Sequence, residues 1–332
     1  MYRSLLLIGL AAGCAGESMS AVDGRSGAAP SVRVVTYNTG TSEGMNHDAE
    51  PDDGYGSDHA LVSDTHYGDG LAWVPAVDAT AALFSDLDAD IVAFQEIFWS
   101  DLCADIPVDA HADFICERWT AGDPTVALEV LGAGWQVACH PGRPDKCLGV
   151  RRSVFEIDGC DDDFCLEGLE GERVDGCGSG ARVGRARLLR DGAPALTVVS
   201  VHGSSGITAE DQACRVAQVD QVFVDMDGEP GANGDHNLVL GDLNTDPGRF
   251  DGFDPSALRW NRYVGDATDF RFHSEVGEQA PASYQGVADI DHVMSDALSG
   301  GCGVAGLDAS LPSLLDAVYF DHRPIVCDLT LP

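Results

Sequence analysis

The apolar run Leu238-Val239-Leu240 is closed by Gly241-Asp242-Leu243-Asn244 and then by the turn sequence Thr245-Asp246-Pro247-Gly248. A hydrophobic strand that stops at a carboxylate and a carboxamide brings two hard oxygen ligands to one edge of a sheet. Such oxygens suit Mg²⁺ or Ca²⁺ and a phosphate group held by the ion. A single strand end of this kind is ordinary Asp/Asn turn chemistry, but here the pattern recurs. Val35-Thr36-Tyr37 ends at Asn38, Val92-Ala93-Phe94 at Gln95-Glu96, and Val198-Val199-Ser200-Val201 at His202. Asp289-Ile290-Asp291-His292 sets acids beside an apolar stretch, and Asp321-His322-Arg323-Pro324 precedes the last one. Burying so many polar tips without a shared ligand is costly. A metal–phosphate site supplies that ligand.

Between these tips the chain reads as strands with intervening helices. Strands are expected at Val32–Tyr37, Asp90–Glu96, Cys147–Ile157, Ala181–Leu189, Ala195–Val201, Leu238–Leu240, Ala288–Met294 and Ile325–Leu331. The second is apolar along nearly its whole length, as expected of a strand buried on both faces. A turn at Gly192-Ala193-Pro194 suggests a hairpin. Helices are expected over Pro75–Leu87 and Ile207–Asp225, the latter with Val216, Val219, Val222 and Phe223 on one face and Gln212, Arg215 and Gln218 polar. Residues 39–70 lack periodicity and read as a long acidic loop, with structural Ca²⁺ binding as a secondary reading. Residues 99–180 read as a loop-rich, cysteine-rich insertion. The fold class is α/β (α+β), a layered sandwich in one domain over residues 31–332.

The formal net charge is −36, from 55 acidic and 19 basic residues, and Lys146 is the only lysine. Such a surface disfavours broad nonspecific binding of nucleic acid but not a small phosphate ester held by a metal. Arg182, Arg185 and Arg187 are read as alternating along one strand, either as a phosphate rail or as a solvated face. Trp73, Trp99, Trp119, Trp135 and Trp260 are scattered, and core packing is expected for each.

Residues 1–14 resemble an export signal: Arg3, the short apolar core Leu5–Leu10, then Ala11-Ala12-Gly13 before Cys14. Lipidation at Cys14 would tether the chain to a membrane, whereas cleavage alone would release it. Residues 15–30 read as a linker. Ten cysteines remain beyond Cys14, an even set that suggests up to five disulfides in an exported chain. No C-x-x-C spacing supports zinc. The expected location is secreted, periplasmic or lipid-anchored, and the expected state is a monomer.

The order Asn38, Gln95-Glu96, His202, Gly241-Asp242-Leu243-Asn244, Asp291, Asp321-His322 resembles the endonuclease/exonuclease/phosphatase superfamily, from about Val32 to Leu331. The resemblance implies a four-layered α/β sandwich with two facing mixed sheets and metal-dependent hydrolysis of phosphate esters. It implies Mg²⁺, with Mn²⁺ or Ca²⁺ as alternatives, on Glu96 with Asn38 beside it and Asp321 near. His322 would be the general base and Asp291 would orient it. Asp242 would position the nucleophile or a second metal. Asn244 would contact the phosphate, and His202 would contact it and aid the leaving oxygen. Phe320 stands where the family usually has Ser, His292 where Tyr is common, and Gly203-Ser204-Ser205 follows His202. The substrate is a phosphate ester, with nucleic acid and lipid headgroup both open. DNase-like and sphingomyelinase-like phosphodiesterases are the alternatives within the fold. A catalytically inactive binding module is the alternative outside enzymology.

Overall fold

The computed structural model describes residues 30–41, 47–48, 54–178, 180–314 and 319–332. The expected export signal, Cys14 and most of the linker lie outside the described residues.

Two sheets face one another. The first runs in the order β12-β13-β1-β2-β4-β3-β6, from β12 (Ser299–Val304) and β13 (Ile325–Thr330) through β1 (Ser31–Asn38), β2 (Ile91–Gln95), β4 (Cys147–Arg151) and β3 (Trp135–Cys139) to β6 (Phe164–Cys165). The second runs β10-β11-β9-β8-β7-β5, from β10 (Arg271–Phe272) and β11 (Asp291–Ser295) through β9 (Asn237–Asp242), β8 (Ala193–His202) and β7 (Val183–Arg190) to β5 (Glu156–Ile157). β1 and β2 are parallel, as are β8 and β9. Their neighbours β13 and β11 are antiparallel. Both sheets are mixed, as the sequence reading expected.

Alternation along each strand builds the layers. Val34, Ile91, Ala93, Val198, Leu238 and Leu240 meet between the sheets. Their neighbours Val35, Tyr37, Val92 and Phe94 face outward against α2 (Val74–Leu87) and α3 (Val126–Leu131). Val199, Val201 and Val239 face α4 (Ala209–Phe223) and α5 (Pro255–Trp260). Both faces of the central strands are covered, which is why their sequences are continuously apolar.

Several expectations change. Residues 39–70 are not all loop: α1 (Ser57–Val62) runs into a π-helical turn, Ser63–Tyr67. α1 buries none of its own residues, so it leaves no periodic trace. The adjacent Tyr55 anchors the segment, packed on Trp73 and Tyr319. The stretch expected to be loop-rich carries β3, β4 and β6, and Cys147–Ile157 divides into β4 and β5 in different sheets. The hairpin turn is Asp191-Gly192, with Arg190 opposite Ala193, so Ala193 and Pro194 belong to the strand. Both turn residues have positive φ, 52° and 75°, as a two-residue hairpin turn requires. On α4, Arg215 and Gln218 are buried although they read as polar. Arg215 donates to Asp254 Oδ2 at 2.9 Å, Ser204 O at 2.8 Å and Gly206 O at 2.7 Å. A buried guanidinium supplied with such acceptors is tolerated in a core.

The ten cysteines pair as Cys103–Cys116, Cys139–Cys147, Cys160–Cys165, Cys177–Cys214 and Cys302–Cys327. Five disulfides fit an oxidising compartment. Among the described residues no helix is long and apolar enough to cross a membrane.

Candidate active site

The polar tips share one edge of the sandwich because the strand registers place them there. Asn38 pairs with Gln95, His202 with Asp242, and Asp242 with Asp291. His322 enters just before β13, whose Ile325 pairs with Thr36 of β1. The two sheets are joined at this edge by Asn38 Nδ2, which donates to Asp242 Oδ2 at 3.0 Å. Asn38, Glu96, His202, Asp242, Asn244, Asp291, Asp321 and His322 are therefore brought together.

His322 Nδ1 meets Asp291 Oδ2 at 2.7 Å, which turns Nε2 toward Asp242 Oδ2 at 3.8 Å and Asp321 Oδ1 at 3.9 Å. Burial alone would lower the His322 pKa. The Asp291 charge and hydrogen bond outweigh it, Asp242 and Asp321 add to them, and the imidazole is pushed up to about 10. Burial raises the Asp242 carboxyl, and Asp291 adds to that against the opposing His322 charge, giving about 7. Asp321 is likewise raised to about 7, first by burial, then by Glu96 and Asp291. His202 Nε2 lies 3.3 Å from Glu96 Oε1 and 3.8 Å from Asp242 Oδ2. Burial holds His202 below its usual range. For Glu96, burial pulls upward but the His202 bond and the His202 and His322 charges hold the carboxyl below its usual range.

Local backbone serves the same end. Glu96 and Asn244 sit in the left-handed region, at φ 58° and 51°. That conformation costs a non-glycine residue about 1–3 kcal/mol and clusters at functional sites. At Gly241, φ 146°, a Cβ would lie 1.9 Å from Val201 O, so only glycine lets β8 and β9 approach as they do. Asn244 Nδ2 donates to Asp242 Oδ2 and to Gly203 O, both at 3.0 Å. Its amide nitrogen thus holds Asp242 in place.

The residues fit a divalent cation. Asp242, Asp291 and His322 each offer a ligand atom within 4.8 Å of the others. Asp291 Oδ1 and Asp321 Oδ1 are buried without a hydrogen-bond partner. Clustered carboxylates with unsatisfied oxygens match the all-oxygen preference of Mg²⁺, Mn²⁺ or Ca²⁺.

The arginine rail does not form. Arg182 and Arg185 are an odd number of residues apart, which in a strand means opposite faces. Arg185 is bound to Glu170 and Glu229, both at 2.9 Å, and Arg187 approaches Glu229. Arg182 goes to the site instead: its Nη1 donates to Gly203 O at 3.3 Å, and its charge is felt by His202. Lys146 was missed. It is buried, pairs with Asp145 at 2.6 Å, and also acts on His202. Its being the sole lysine was the available signal. His292 is buried and held by Ser274 Oγ at 2.9 Å and Asp289 O at 3.0 Å.

No protein-family model matches the sequence, and no curated protein does. Solved structures match in shape. The humanized TDP2 of D. rerio, carrying 14 mutations, aligns with a TM-score of 0.51 at 11% identity, covering 90% of this chain and 99% of that one. The human nocturnin catalytic domain with bound sulfate anion aligns at 0.50 and 15%, covering 91% and 94%. An endonuclease/exonuclease/phosphatase family protein from Bacteroides thetaiotaomicron aligns at 0.48 and 15%, covering 91% and 96%. At these identities the likeness is one of fold. Two facing mixed sheets between helical layers, with these neighbours, give the chain the α/β-sandwich fold of the endonuclease/exonuclease/phosphatase superfamily.

Proposed function

We propose that the chain is an exported, divalent-metal-dependent phosphodiesterase. The observation that carries this reading is the His322–Asp291 pair facing Asp242 at 3.8 Å, amid carboxylates with unsatisfied oxygens. Glu96 and Asp321 would hold the cation, with Asn38 beside them. When bound, the ion supplies positive charge to a phosphoryl oxygen and cancels carboxylate charge that otherwise keeps His322 protonated.

The remaining work falls to the chain. The gap between His322 Nε2 and Asp242 Oδ2 is too long for a direct hydrogen bond and has room for one water oxygen contacting both. Asp291 fixes the tautomer and orientation of His322, so that Nε2 can accept the water proton. Asp242, near 7 in pKa, is a second acceptor at the same position. Attack of that oxygen on phosphorus breaks the opposite P–O ester bond, as in-line displacement requires. His202 directs Nε2–H toward the departing oxygen. Arg182 and Lys146 supply positive charge on that side of an otherwise acidic site. Export is supported by the disulfides and by the signal-like N-terminal sequence.

Hydrolysis of bis(p-nitrophenyl) phosphate tests the reading. Turnover is expected with Mg²⁺, with loss in EDTA and in Glu96→Ala and His322→Ala. Folded variants that match the parent would overturn the site.

A further inference from the structure

Glu96 belongs to a second feature. Its successors Ile97, Phe98 and Trp99 form one wall of a cleft of about 310 Å³, and Arg143 and Asp145 stand on the other. The second wall is the tip of the β3–β4 hairpin, closed by the Cys139–Cys147 disulfide. The walls are joined where Ile97 N donates to Asp145 O at 3.0 Å. Trp99 is half-buried and stacked on Phe164, with ring centroids 5.3 Å apart and planes at 30°. This backing holds the indole in place as part of the cleft lining. Arg143 Nε meets Asp145 Oδ2 at 2.7 Å, so the facing wall is a polar edge.

The volume lies at the small end of ligand-binding pockets. Paired acyl chains need more room and would set hydrocarbon against Arg143 and Asp145 without compensating hydrogen bonds. A quaternary ammonium would suit the indole. It would also meet the positive charges of Arg143, Lys146 and Arg182, which gather here in a chain of net charge −36. A flat heterocycle satisfies both walls: its face takes the indole, and its edge and sugar hydroxyls take the arginine–carboxylate pair. The overall charge disfavours a long polyanion.

We propose that this cleft receives the nucleoside of a small nucleotide diester, with the base against Trp99. The assignment rests on the phosphodiesterase reading for its position beside the scissile phosphate. Two substrates with one leaving group test it: p-nitrophenyl thymidine 5′-phosphate and p-nitrophenyl phosphorylcholine. With Mg²⁺, kcat/KM is expected to favour the nucleotide ester by about tenfold or more, the scale of one base–aromatic stack. Trp99→Ala should bring the ratio to about one, and Trp99→Phe should retain most of it. Equal turnover by the parent, or preference for the choline ester, overturns the proposal and leaves the phosphodiesterase reading standing. Calorimetric binding of thymidine 5′-monophosphate gives a readout without turnover. Binding that Trp99→Ala weakens, with neither ester cleaved, supports the cleft and sinks the catalytic reading. Absence of both binding and turnover sinks the two together.

Discussion

His322 Nδ1 lies 2.7 Å from Asp291 Oδ2, with both side chains buried at the rim where the two sheets meet. Asp291 is the largest favourable influence on the His322 charge. Asp291→Asn keeps the shape but removes the charge that orients and polarises the ring. kcat on an aryl phosphodiester is expected to fall by about 10²–10⁴-fold, the usual worth of positioned acid–base catalysis, with little change in KM. Steady-state kinetics on the folded variant checks this.

Metal-free protein should lose stability above neutral pH. His322 has a folded pKa near 10, above its unfolded value of about 6.5, so its contribution is complete below 6.5 and is lost as pH rises through 10. Asp242 and Asp321, near 7 when folded, impose a cost that is absent below their unfolded values and complete above 7. The two effects act in one direction. His292, held near 4 by burial, opposes them only on the acid side, where stability is lost as pH falls from about 6.5 through 4. In EDTA the melting temperature at pH 9 is expected to lie about 5 °C or more below that at pH 6.5. Saturating Mg²⁺ should shrink the difference. Scanning calorimetry showing no difference in EDTA would refute this account of the site charges.

Gly40→Ala should separate the site from the fold. A Cβ there would lie 2.0 Å from Glu96 Oε2 and 3.1 Å from Asn38 Oδ1. The clash falls on the end of a flexible side chain, so stability should change by less than about 1 kcal/mol. Glu96 must move, and Mg²⁺ affinity measured by titration calorimetry should drop by about tenfold or more. Unchanged affinity would remove Glu96 from the ligand set.

Arg215 ties the loop after His202 to α5 through Ser204 O, Gly206 O, Ser256 Oγ and Asp254. Arg215→Met leaves Asp254 buried without its cation and should cost about 3–5 kcal/mol. The double variant Arg215→Met/Asp254→Leu should recover part of that loss in urea denaturation. A single variant within about 1 kcal/mol of the parent would show that the pair contributes little.

Strands buried on both faces were legible, because burial writes itself as an uninterrupted apolar run, as in Val32–Tyr37 and Ile91–Phe94. β12 was not: Ser299–Val304 is glycine-rich and owes its place to pairing with β13 and to the Cys302–Cys327 bond. Arg215 read as a solvent residue because its acceptors come from segments up to 41 positions away. Arg182, Arg185 and Arg187 read as one row until spacing and the carboxylates of Glu170 and Glu229 divided them.

By itself the sequence determined which chemical groups close the strands, and that those strands lie between two apolar layers, since both properties are local to each run. Only the tertiary structure decided that the closing groups share one rim. Asn38 and Asp242 are 204 positions apart and touch because parallel pairing sets their height in each sheet and the apolar interlayer sets the gap between sheets. Those distances are properties of packing, and no stretch of chain short enough to show a pattern contains them.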